Sequence, residues 1–104
     1  MITIYGADIC IDCRNLKAIL KQRNIENQFT YIDITQSTDN MRAFLTIRDH
    51  EAIFEEIRNW EGGAIGIPCF VMENGTVSLE TDAVFAQIGQ PPVQEAEIVE
   101  KRCE

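Results

Sequence analysis

A chain of 104 residues, 45% of them hydrophobic, holds enough apolar material for one domain with its own core and too little for two. Its formal charge of −8 argues against a nucleic-acid partner, because phosphate binding needs a basic face. No apolar run approaches the roughly 20 residues of a membrane helix, and no charged-then-apolar leader opens the chain, so the expectation is an unexported, cytoplasmic protein without a membrane partner. The charge is uneven: residues 1–38 hold four acids and four bases, so residues 39–104 carry the whole excess. Its plain reading is a solvated, solubilising surface, and its sharper one is selection against anionic small substrates.

In chain order, the apolar run Ile2-Thr3-Ile4-Tyr5 reads as a strand and leads into Cys10-Ile11-Asp12-Cys13. From Arg14 to Asn24 the residues Leu16, Ile19 and Leu20 recur at helical spacing, so the two thiols sit where a strand hands over to a helix. A helix N-terminus presents unpaired N–H groups and the positive end of the macrodipole, both of which favour a thiolate. Cys10 is therefore the expected nucleophile. Cys13, one turn further in, is placed to attack a mixed disulfide held by Cys10 and release the reduced product. A CxxC in a chain with four cysteines suits a reducing compartment and a catalytic dithiol better than a secreted disulfide framework.

Phe29 to Ile34 forms the second strand of a βαβ unit, whose right-handed crossover places the two strands parallel. Ser37, Thr38 and Asp39 offer N-caps for a helix with Met41, Phe44, Leu45 and Arg48 on one face. A second helical pattern turns Ile53, Phe54, Ile57 and Trp60 inward until Gly62-Gly63 stops it. Ile67-Pro68 then leads into the strand Cys69-Phe70-Val71-Met72, and Asn74-Gly75 signals a two-residue hairpin into Val77-Ser78-Leu79. Asp82 is expected to cap a short helix carrying Val84, Phe85 and Ile88 and ended by Gly89. Pro91-Pro92 separates residues 1–89, the expected domain, from a polar tail over residues 90–104.

The order β-α-β-α-β-β-α, with CxxC after the first strand and Ile-Pro before the third, resembles the glutaredoxin family of the thioredoxin-like fold over about residues 1–89. Gly66-Ile67-Pro68-Cys69-Phe70 beside the CxxC is similar to a segment of the bacterial glutaredoxin-related proteins. The resemblance implies a four-stranded mixed sheet in the order 2-1-3-4 flanked by helices. It implies a cis Pro68 abutting the CxxC, with the backbone of Ile67 free to pair with a bound peptide or glutathione, and Asp82 contacting the amino end of glutathione. The implied activity is thiol-disulfide oxidoreduction on a protein or small-molecule disulfide. The resemblance further implies no tightly bound cofactor, with glutathione or a flavoenzyme reductase as the source of electrons.

Departures from the family pattern shape that expectation. Ile11-Asp12 replaces the usual Pro-Tyr, Gly6-Ala7-Asp8-Ile9 lacks the lysine before the first cysteine, and Ser78-Leu79 replaces a glycine pair. Asp8 and Asp12 set carboxylates beside Cys10, which oppose its thiolate. The couple is accordingly expected near the reducing value of about −270 mV rather than the −200 to −230 mV of ordinary glutaredoxins. The competing readings are a glutathione-dependent glutaredoxin proper and a non-catalytic module. Such a module would hold zinc, with Cys69 and either Cys103 or His50 joining the CxxC, or an iron-sulfur cluster through Cys10, Cys13 and Cys69. Cys69 reads first as a small buried strand residue, with an auxiliary thiol near Cys10 as the alternative. His50 reads as a surface residue, Cys103 as an inert tail thiol, Trp60 as core, and Tyr5 as a residue beneath the cysteines.

Overall fold

The hydrophobic alternation of the first strand decides where the rest of the chain packs. In the computed structural model, which describes residues 1–101, β1 (Ile2–Gly6) is central, with Ile2, Ile4 and Gly6 buried. It pairs in parallel with β2 (Phe29–Asp33) and antiparallel with β3 (Cys69–Val71), which pairs antiparallel with β4 (Val77–Ser78). The result is a mixed four-stranded sheet in the order β2-β1-β3-β4, the order that the resemblance implies.

Helix α1 (Ile11–Gln22) crosses between β1 and β2 and buries Leu16, Ile19 and Leu20 at the spacing seen in the sequence. It stops where Asn24 turns left-handed (φ 56°) and the N–H groups of Asn24 and Ile25 return to the carbonyls of Lys21 and Leu20. With α4 (Thr81–Gln87), α1 covers one face of the sheet over Ile2, Ile4, Phe70, Val84 and Phe85. The other face carries Ala7, Ile34, Phe44, Phe54 and Cys69, packed under α2 (Thr38–His50) and the one-turn α3 (Glu55–Arg58). Ser37 caps α2 by accepting from the Asn40 N–H at 3.0 Å.

Four sequence expectations are corrected. Phe54 is fully buried and Ile57 partly so, but Trp60 is 66% exposed and Ile53 also faces outward. The pattern breaks because a 3₁₀ turn over Ala52–Phe54 precedes α3 and shifts its phase, and α3 ends before Trp60. On α2 only Phe44 is buried, and Met41 and Leu45 stay partly open. The hairpin has a three-residue loop, Glu73-Asn74-Gly75, since the Met72 N–H pairs with the Thr76 carbonyl and Gly75 takes φ 88°. Glu80, not Asp82, is the N-cap of α4, and Asp82 lies inside its first turn.

Residues after Pro91-Pro92 return along α1 as a strap. The Arg23 guanidinium grips Glu97 through both carboxylate oxygens (2.7 and 2.6 Å) and donates to the carbonyls of Pro91 and Pro92. Arg14 grips Glu100 in the same two-pronged way (2.7 and 3.0 Å), and Asn15 brackets the Glu100 backbone. No helix of the described residues is long and apolar enough to cross a membrane.

Candidate functional site: a dithiol at a helix start

Cys10 is the N-cap residue of α1, with extended backbone (φ −95°, ψ 127°) and a half-buried side chain. Its N–H donates to the Ala7 carbonyl, and its own carbonyl accepts from Arg14 N–H, each at 3.0 Å. The sulfur therefore stands at the positive end of α1. Cys13, in the first turn, is fully buried. Burial pushes its thiol up to about 12, the Ala7 backbone and Tyr31 hydroxyl pull it back, and contact with Cys10 raises it further. The pair thus divides into one reachable thiol and, one helical turn on, one sheltered thiol.

Ile67-Pro68 is a cis peptide bond, and no hydrogen bond to the Ile67 backbone occurs among the described residues. Ile67 and Cys10 are walls of one cleft of about 680 Å³, completed by Ile9, Met41, Leu45 and Ile65. The α2 face read from the sequence is therefore a face, but it lines this cleft instead of filling the core. Arg48 donates to the carbonyls of Ala64 and Ile65 (2.8 and 2.9 Å) and fixes the loop that carries Ile67. Behind Pro68 a second groove, of about 410 Å³, is walled by Asp12, Pro68, Leu79, Thr81 and, from the strap, Val93 and Ile98.

Comparison with protein-family models, curated proteins and solved structures finds no match.

The remaining sequence candidates fall as follows. Cys69 is fully buried on the α2 and α3 face, its thiol pushed up to about 12 by burial and by the Glu51 charge. The Asp82 carboxylate accepts from the Val93 N–H at 2.9 Å, so the strap engages it. His50 ends α2, its Nδ1 2.7 Å from the Thr46 carbonyl. Tyr5 packs on Phe44 with ring centroids 6.2 Å apart, and Cys10 joins the same cluster. Cys103 lies outside the described residues. Among the described residues no three His, Cys, Asp or Glu side chains gather into a set that could hold a metal.

Two charged groups missed in the sequence reading modify the electrostatics expected there. Lys17 Nζ lies 3.0 Å from Asp8 Oδ1, so that carboxylate does not face Cys10 alone. Arg14, four residues after Cys10, adds a guanidinium whose charge reaches the Cys10 sulfur. Its donation to Glu100 raises its own proton affinity above the ordinary value. The position i+4 from Cys10 was a signal for Arg14, but the strap that holds it was not legible. Asp33, held below the usual carboxylate range by donation from Thr35 and, more weakly, from the Asp8 N–H, ties the loop before Cys10 to the end of β2.

Proposed function

We propose that this protein is a thiol-disulfide oxidoreductase of thioredoxin-like, glutaredoxin-type fold. The observation that carries the reading is the juxtaposition of a reachable thiol at a helix start, a buried thiol one helical turn on, and the unpaired Ile67 backbone across one cleft. Cys10, as thiolate, attacks a substrate disulfide, and one substrate sulfur leaves as a thiolate that takes up a proton. Cys13 loses its proton and attacks Cys10 Sγ, the mixed disulfide breaks, and the second substrate thiol departs. Two electrons have passed to the substrate, and an external dithiol must restore the Cys10-Cys13 disulfide to its reduced form.

The cleft supports a protein disulfide flanked by apolar side chains as substrate, since Ile9, Met41, Leu45 and Ile65 offer apolar surface beside Cys10. Extended backbone of such a substrate has the Ile67 N–H and carbonyl to pair with. A flavoenzyme or protein dithiol is the electron donor this site favours over glutathione. Asp82 is engaged by the strap, and the groove behind Pro68 is lined by Leu79, Val93 and Ile98, with Asp12 as a repelling charge for an anionic tripeptide. The compartment this implies is a reducing one, the cytoplasm.

Cys13→Ser incubated with insulin is the test. A disulfide-linked adduct through Cys10 that wild type does not accumulate is the expected result, and Cys10→Ser should form none. Absence of any adduct, or insulin reduction that persists in Cys10→Ser, removes the assignment. Glutathione supporting faster insulin reduction than thioredoxin reductase does would return the protein to the glutathione-dependent enzymes.

A further inference from the structure

The Tyr31 hydroxyl is the one buried side-chain polar atom among the described residues that lacks a hydrogen-bond partner. Such an atom costs stability, so its retention at a site asks for a reason. Its ring is half-buried on β2, with Lys17 Nζ 4.5 Å from the ring centroid, and its oxygen points inward toward Gly6. A Cβ on Gly6 would lie 2.6 Å from Tyr31 Oη and 3.0 Å from Cys13 Sγ, so phenol and buried thiol flank one point that only glycine leaves open. The Ala7 backbone also lowers the proton affinity of Cys13.

Resting on the oxidoreductase reading above, we propose that the Tyr31 hydroxyl is a waiting hydrogen-bond donor for the Cys13 thiolate, which exists only while Cys13 attacks the mixed disulfide on Cys10. In the dithiol state Cys13 keeps its proton, and the phenol is idle. When that proton leaves, the sulfur becomes a full acceptor, and the Tyr31 O–H beside it is a donor with no other partner to give up. Tyr31 does not give up its own proton: burial, foremost, and the neighbouring Cys13 charge push its ionisation well above the ordinary phenol value. The charged and titratable groups around the pair are Cys10, Lys17, Asp8 and Asp33. Lys17 is salt-bridged to Asp8, the Asp33 carboxylate accepts from Thr35, and Cys10 in the mixed disulfide carries no S–H, so none of these four supplies a donor to Cys13.

The test uses Tyr31→Phe and 5,5′-dithiobis(2-nitrobenzoate), which needs no physiological substrate. Attack by Cys10 releases one 5-thio-2-nitrobenzoate and leaves the other on Cys10. Attack by Cys13 releases that second anion and forms the Cys10-Cys13 disulfide, so the two steps are read separately at 412 nm. The expected result is an unchanged first release and a second release about tenfold or more slower at neutral pH. The pH profile of that second step should also move to higher pH. The thermal midpoint of reduced Tyr31→Phe should equal or exceed wild type, because an idle buried hydroxyl has been removed. An unchanged second step with an unchanged pH profile overturns the inference. So does a variant that melts lower and slows in both steps alike, since that outcome marks a packing role. Failure of the oxidoreductase reading appears elsewhere, as absence of insulin reduction with any reductant, while the two release steps still report on Tyr31.

Discussion

Gly66→Ala strikes the hinge between the cleft and the core. Gly66 has φ 95°, a region that costs a side-chain-bearing residue about 1–2 kcal/mol. A Cβ there would overlap Phe54 Cε1, lie 3.0 Å from Phe54 Cδ1 and 3.3 Å from Ile57 Cδ1. Phe54 is fully buried and cannot swing into solvent, so the overlap adds an overpacking cost of about 1–3 kcal/mol. Together the substitution should destabilise by about 2–5 kcal/mol, a drop in thermal midpoint of about 8 °C or more. Gly63→Ala is the control: its φ is 76°, nothing lies within 4 Å of its Cβ, and it should lose only the backbone part. Urea unfolding of both variants separates strain from clash. Turnover of insulin should fall in Gly66→Ala more than its stability at the assay temperature explains, because Ile67 follows directly in the chain. Equal losses in the two variants, or a Gly66→Ala loss below about 0.5 kcal/mol, would refute the assignment of the clash to Phe54.

Three further outcomes are expected. Cys69→Ala should keep insulin reduction within about twofold of wild type and lose about 1 kcal/mol for the small void left, and a large activity loss at intact stability would make Cys69 a working thiol. Glu97 titrates near 2 in the fold against an ordinary 4.5, chiefly because Arg23 donates to it. The clasp therefore contributes fully above about pH 4.5 and is lost as pH falls toward 2. Urea midpoints of wild type and Glu97→Gln should differ at pH 6 and converge near pH 2, and parallel curves would sink this account. Leu45→Glu places charge in the cleft at a partly open position and should raise the KM for insulin by roughly three- to tenfold, about 0.7–1.4 kcal/mol, with Cys10 alkylation unchanged; an unaltered KM would show that substrate does not enter there.

The sheet and α1 were legible because local periodicity and the central, doubly covered β1 agree. Leu16, Ile19 and Leu20 could face nowhere else once Ile2 and Ile4 pointed inward. The placing of Cys10 and Cys13 at the start of α1 was legible from the switch of periodicity after Tyr5. Trp60 was misread because one 3₁₀ turn resets helical phase, a change that hydrophobic spacing does not register. Asp82 was misplaced because its partner, the Val93 N–H, is a backbone group eleven residues on and carries no side-chain signature. Arg14 and Arg23 gave no hint of Glu100 and Glu97, since those grips span 86 and 74 residues and depend on the finished fold. Tyr31 passed as an ordinary strand aromatic: the vacancy over Gly6 that admits its hydroxyl exists only after β1 and β2 are paired.

The strap is also separable from the layers beneath it. Strands β1 to β4 and helix α4 end at residue 87, so the sheet and the buried residues of both its cores are complete without it. Lifting residues 93–100 away would strip Arg23 and Arg14 of their carboxylates, Asp82 of the Val93 N–H, and the groove behind Pro68 of its Val93 and Ile98 walls. Local opening of this one segment would therefore lay the rear groove bare while the dithiol and the sheet stay formed.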